Sequence, residues 1–153
     1  MKIEKYTTTP VEVQLNGLTI LSKEEYLRYE ENIPEADFWW WLRSPGYYQC
    51  SAALVDSDGS RSYGDVIGTR GVRPALIINH GSSLQTGDRF KFFGHNWTVI
   101  SAKYALCDDA FCYMAFRKDL KADDSNVYEA SDIKRYLDDE WKKMKEGEQN
   151  DKG

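Results

Sequence analysis

Alternation of apolar and polar positions dominates the first part of the chain. Val11, Val13 and Leu15 alternate with Glu12 and Gln14, the period-two mark of a half-buried strand. Asn16-Gly17 predicts a tight hairpin turn, and Leu18 to Leu21 predicts the returning strand. The polar residues 1 to 10 before them read as a short arm or edge strand. Ser22-Lys23-Glu24-Glu25 is a capping box that should start a short helix, with Tyr26, Leu27 and Tyr29 as its buried side and Asn32 to Pro34 as its end.

Phe38 to Leu76 carries the densest pattern. In a strand, Trp39, Trp40 and Trp41 alternate in direction, so at least one side must be core. Ser44-Pro45-Gly46 breaks that strand. A loop from Gly46 to Ser51 leads to a strand over Ala52 to Asp56, a turn with Asp58-Gly59 at its centre, and a return strand opening with Arg61-Ser62-Tyr63. Gly64 to Gly71 then reads as a second flexible loop and Val72 to Ile78 as one strand. Arg43 and Arg73 lie beside these aromatic runs and are expected to clamp backbone carbonyls or a carboxylate and to stack on rings.

Residues 79 to 87 have linker composition. Beyond them, Asp88 to Phe92 alternates as a strand, Gly94-His95-Asn96 is read as a turn, and Trp97 to Ile100 pairs back. Tyr104 to Phe116 is expected to form another strand pair with Asp108-Asp109 at its turn. Lys118 to Asn126 reads as a charged loop. Ser131 should cap a helix whose Ile133, Tyr136, Leu137, Trp141 and Met144 make one apolar face, and Glu146 to Gly153 is a polar tail with the composition of disorder.

The motifs Trp40-Trp41-Leu42-Arg43-Ser44-Pro45-Gly46 and Gly71-Val72-Arg73-Pro74-Ala75-Leu76 together resemble a bacterial and phage domain of unknown function. That family is usually placed with the C-type lectin-like, or sulfatase-modifying-factor-like, folds. The resemblance implies an α+β domain with small twisted sheets, two helices and a variable loop surface, and it implies no reaction. The stretch from Gly87 to Ile100 resembles the segment that usually opens the family's domain, and Ser131 to Leu137 resembles the helix that follows it. The order is therefore inverted here, which implies a circular permutant. A single domain over 1–145 would comprise an ancestral C-terminal half at 11–78, a joining linker at 79–87 and an ancestral N-terminal half at 88–145. A domain-swapped dimer is the other explanation, so the chain is expected to be a monomer or a swapped dimer.

Composition narrows the function. The 153 residues carry a net charge of −5, which argues against direct nucleic-acid or anionic-membrane binding. No apolar stretch is long enough for a membrane helix and Met1 to Lys5 leads into no apolar signal region, so a cytoplasmic location is expected. Cys50, Cys107 and Cys112 have no zinc-ligand spacing and read as free thiols. Asp56 and Asp58 begin like a calcium loop, but counting on from Asp56 puts Ile67 where a bidentate Glu is needed.

Two histidines, His80 and His95, offer few acid-base candidates, and the resemblance's formylglycine-generating chemistry needs an active-site cysteine pair that is not matched here. No catalytic residue, metal site or cofactor is expected. The reading is a non-enzymatic module that recognises a protein, or a small ligand, through Tyr47, Tyr48, Gln49, Asp56, Asp58, Arg61, Tyr63 and Arg70. It would be associated with a phage or mobile element. The alternative is a small acidic phage-type inhibitor of a host defence or nucleic-acid enzyme, presenting Asp108, Asp109, Asp123, Asp124, Asp138 and Asp139 to a basic groove.

Overall fold

A computed structural model describes residues 2–5, 10–12, 15–79, 84–119 and 125–151, without the side chains of 2–5, 10–12 and 147–151. His80, Asp123 and Asp124 lie outside the described residues. Two helices and two open sheets make a mixed α+β fold. The first sheet has seven strands in the order β2-β1-β9-β10-β11-β8-β3, and the second has five in the order β12-β7-β4-β5-β6. The strands are β1 (Lys2–Lys5), β2 (Pro10–Glu12), β3 (Leu15–Thr19), β4 (Trp40–Pro45), β5 (Ser51–Val55), β6 (Arg61–Asp65), β7 (Thr69–Val72), β8 (Ala75–Ile78), β9 (Arg89–Phe92), β10 (His95–Val99), β11 (Tyr104–Cys107) and β12 (Cys112–Ala115). Both halves of the chain enter both sheets, and one core holds Trp41, Leu54 and Leu76 with Phe90, Trp97 and Leu137.

Ser22 caps helix α1 (Lys23–Tyr29) as the capping box requires: its hydroxyl accepts from the Glu25 amide at 3.1 Å while Glu25 Oε1 accepts from the Ser22 amide at 2.9 Å. Tyr26 is buried and Tyr29 half-buried, but Leu27 is exposed, because a seven-residue helix against one sheet face buries only a narrow stripe. The apolar face of helix α2 (Asp132–Asp151) packs as the spacing predicts, with Ile133, Leu137 and Met144 in the core and Tyr136 and Trp141 against it. Its backbone stays helical as far as Asp151, within the stretch from Glu146 expected to be a disordered tail.

Four expectations about turns, loops and strands fail for identifiable reasons. Asn16-Gly17 does not reverse the chain. It lies inside β3, where the register with β8 shifts between Leu15 and Gly17, so the glycine (φ +153°) accommodates a bulge. Val72 to Ile78 is not one strand, because Arg73-Pro74 interrupts it and passes the chain from the second sheet to the first. The segment Gly64–Gly71 is mostly ladder, with β6 running to Asp65 and β7 starting at Thr69. Finally, β11 and β12 do not pair with each other; they lie in different sheets, with β12 antiparallel to β7 and the Phe111 amide bonded to the Val72 carbonyl.

Farther along, the β9–β10 turn falls at Phe93-Gly94, both with positive φ, rather than at Gly94-His95-Asn96. His95 is consequently a strand residue, half-buried and stacked on Phe111 at 4.1 Å, and not an exposed turn histidine.

The tryptophan run divides between two cores. Trp41 joins the cluster under α2, Trp40 joins the one under α1, and Trp39 stays 41% exposed ahead of the strand. Arg43 and Arg73 are clamps. Arg43 Nη1 donates to the Ile20 carbonyl at 2.7 Å and to Glu25 at 2.5 Å. Arg73, 1% exposed, donates to the carbonyls of Cys107 at 2.6 Å and Pro34 at 2.9 Å and lies 4.9 Å from the Trp40 ring. Burial pulls its guanidinium down to about 10, which leaves it a cation at neutral pH.

Candidate functional site

The loop between β4 and β5 is where the fold displays most aromatic surface. Gly46 opens it, and a Cβ there would stand 2.2 Å from Ser51 Oγ and 2.9 Å from the Ser51 backbone, so only glycine fits. The Gly46 amide donates to the Ser51 carbonyl at 2.8 Å, and the Ser51 amide donates to the Tyr48 carbonyl at 3.0 Å. Ser51 Oγ also accepts from the Tyr48 amide at 3.2 Å. A buried Asn126 reaches in from the far half of the chain, its Nδ2 donating to the carbonyls of Tyr48 and Ser51, each at 3.1 Å. Ser125 adds a bond from its hydroxyl to the Gln49 carbonyl at 2.5 Å.

This bonding holds the backbone while releasing the side chains. Tyr47 is 89% exposed and Tyr48 72%, and with Tyr63 from β6 they line an open groove of about 570 Å³ that also includes Cys50, Ser51, Gly64 and Asp65. Tyr63 is held from one side by Lys23, whose Nζ donates to the tyrosine hydroxyl at 2.9 Å.

The other predicted residues lie elsewhere. Asp56 and Asp58 line a separate cleft of about 490 Å³ whose wall includes Tyr26, Trp40 and Arg73. There they brace their own turn: Asp58 Oδ1 accepts from the Ser60 amide at 2.9 Å and hydroxyl at 2.6 Å, which lowers the Asp58 carboxyl. Arg70 stacks over Trp39 at 5.4 Å beside Phe38 and Tyr113, in a third groove of about 370 Å³. Gln49 and Arg61 are exposed, the first on the tyrosine loop and the second at the start of β6. Seven of the eight thus lie in three grooves or at one strand edge, and Gln49 lies on the tyrosine loop, rather than all in a single patch.

Sequence reasoning missed Ser125 and Asn126. Their contacts span 75 to 78 residues, and no local period or motif marks a residue for a bond that distant. It also missed the cleft beside Arg73, because the pairing of Pro34 to Ala36 with the Asp56–Ser60 turn appears only in three dimensions.

The segment that builds the tyrosine loop and its supporting strands has a family. Residues 6–80 match the family model of DUF6273, a domain of unknown function. The DUF6273 segment includes both tryptophan and arginine motifs and all of β3 to β8, while Ser125 and Asn126, which brace its loop, lie outside it. No curated protein and no solved structure matches the chain.

Chemically, the groove offers three phenol rings, two of them highly exposed, and the Asp65 carboxylate. The buried Cys107 thiol, by contrast, is pushed up to about 12 by burial. All three cysteines are free. Among the described residues no group of three or more His, Cys, Asp or Glu is placed to hold a metal ion, and no helix is long and apolar enough to cross a membrane.

Proposed function

We propose that this chain is a non-enzymatic binding module that recognises a protein partner through the tyrosine groove. The observation that carries the reading is the conjunction of highly exposed Tyr47 and Tyr48 with a backbone fixed by Asn126, Ser125 and Ser51. Tyrosine supplies large amphipathic contact area with two side-chain torsions to freeze, and a loop already ordered has little backbone entropy left to lose on binding. A central tyrosine is worth about 2 kcal/mol or more in such an interface.

We further read the fold as a circularly permuted C-type lectin-like domain of phage or mobile-element association, working in the cytoplasm. The sharing of both sheets by residues 11–78 and 88–145 supports one permuted domain over two sequential ones. A chain opened between residues 79 and 87, with residue 146 joined to residue 1 by a flexible linker, is expected to fold to the same circular-dichroism spectrum; a molten product would refute the permutation.

The acidic-inhibitor reading has one observation in its favour. Two clefts share Pro34, Glu35 and Ala36, and their walls include Glu30, Glu31, Asp56 and Asp58 on one side and Asp37, Asp108 and Asp109 on the other. A partner held there would be released by moderate salt. Quantitative affinity enrichment from lysate of the source cells separates the two. Comparison of the wild-type chain with Tyr47→Ala/Tyr48→Ala and with Glu31→Gln/Glu35→Gln/Asp37→Asn is expected to show one protein lost only with the tyrosine variant. Loss only with the acidic variant, and with salt, would transfer the function to the acidic clefts.

A further inference from the structure

β6 is an edge of the five-stranded sheet, and the hairpin geometry determines which of its backbone groups point outward. The Asp56 amide donates to the Ser60 carbonyl at 2.7 Å and the Val66 amide to the Cys50 carbonyl at 2.8 Å, bracketing the β5–β6 ladder. Bonded pairs alternate along an antiparallel ladder, so between those brackets Leu54/Ser62 and Ala52/Gly64 exchange bonds. Arg61, Tyr63 and Asp65 therefore turn their N–H and C=O groups away from β5. Apart from the Asp65 carbonyl, which accepts from Gly68 at 2.9 Å, no described backbone group bonds to them.

The same three residues put their side chains on one sheet face, and all three are exposed. Arg61 and Asp65 have no ion-pair partner among the described residues. The register with β5 is unbroken over all five residues, and the strand contains no proline. Bulges and prolines are two of the usual protections of an exposed edge; charged side chains are a third, and the two on β6 are of opposite sign. Opposite charges two residues either side of a central tyrosine make this edge complementary to itself.

We propose that β6 pairs antiparallel with β6 of a second copy, about a twofold axis at Tyr63. In that register Tyr63 exchanges two backbone bonds with the partner's Tyr63, and Arg61 faces the partner's Asp65 twice over, as an isologous contact demands. A one-residue slip sets outward groups against inward ones, and a two-residue slip places Arg61 opposite the partner's Tyr63, so charge and backbone select the same alignment. Tyr63 and Asp65 also line the groove, but Tyr47 and Tyr48 take no part in this ladder, and the oligomeric state is read on the chain alone, without the groove's partner.

Sedimentation velocity on the full chain, from micromolar to millimolar protein at low salt, is the test. A concentration-dependent dimer is expected, with the dissociation constant raised about tenfold or more by Arg61→Asp or by Asp65→Arg, since each reversal opposes like charges at two places. The double swap Arg61→Asp/Asp65→Arg restores opposite charges and should return the constant to within about threefold of wild type. Both positions are exposed and have no ion-pair partner among the described residues, and circular dichroism verifies that each variant is folded. A wild-type chain monomeric throughout, a dimer indifferent to the single reversals, or a double swap no tighter than either single would overturn the proposal.

Discussion

Glu25 joins three elements, and removing its charge should change how stability responds to acid. Its carboxylate accepts from the Ser22 amide at the start of α1, from Arg43 on β4 at 2.5 Å and from the Tyr104 hydroxyl on β11 at 2.5 Å. Burial acts to raise this carboxyl, but the bonds from Arg43, Ser22 and Tyr104 outweigh it and hold the group at about 2, below the usual 4.5. Tyr104 is pushed up to about 12 by burial and by the adjoining carboxylate, so it remains a neutral donor.

A carboxyl depressed this far contributes about 3 kcal/mol at neutral pH, and with a side chain 16% exposed little of that is lost to solvent screening. The contribution is fully present above 4.5, the unfolded value, and is lost as the pH falls through about 2. Glu25→Gln keeps the shape and the reach of the capping box but leaves the Arg43 guanidinium without its counter-ion. The variant should be about 2–3 kcal/mol less stable at pH 7, and the difference should shrink steadily below pH 4.5. Urea unfolding of both proteins at half-unit steps from pH 7 to pH 2 measures this directly. Parallel stability curves over the acid range would refute the account of Glu25.

Three further outcomes follow from the packing. Arg73→Met keeps an unbranched stem against Trp40 but strands the buried carbonyl of Cys107 and the half-buried one of Pro34, and should cost about 2–3 kcal/mol by denaturant titration. Asn126→Ala leaves the Tyr48 and Ser51 carbonyls without its amide; stability should fall by about 1–2 kcal/mol, and amide exchange should accelerate around residues 46–51 more than in the β10–β11 ladder. Gly46→Ala drives a methyl into Ser51 and should open the same loop, seen as faster exchange at the Gly46 and Ser51 amides with the far-ultraviolet spectrum retained.

What the sequence disclosed was mostly local. The Ser22 capping box, the Asp58-Gly59 turn and the apolar stripe of α2 involve residues within a few positions of one another, and each formed as its chemistry requires. The clamping roles of Arg43 and Arg73 were also legible, because a cation beside tryptophan in a packed strand has few other uses. Strand partnership was not. Asn16-Gly17 has hairpin chemistry, yet β3 pairs with β8 from far along the chain, and the same dipeptide serves a bulge there. The break at Arg73-Pro74 and the crossing between β11 and β12 are likewise sheet changes, set by which edge each strand finds rather than by its own residues.

The site shows the same division. Of the eight residues expected to form one surface, the fold places Tyr47, Tyr48 and Tyr63 around one groove. Asp56, Asp58 and Arg70 are near them in the chain but face other grooves, since successive residues of a strand point to opposite faces and the β5–β6 turn lies at the far end of its hairpin from the tyrosine loop.

The claim that Tyr47 and Tyr48 form the recognition surface is tested most directly by calorimetric titration of the enriched partner into wild-type protein and into Tyr47→Ala/Tyr48→Ala at two salt concentrations. The account predicts a dissociation constant raised about a hundredfold or more by the double substitution and nearly independent of salt in the wild type. An unchanged constant for the variant, with steep weakening in salt, would contradict it and place recognition on the acidic clefts.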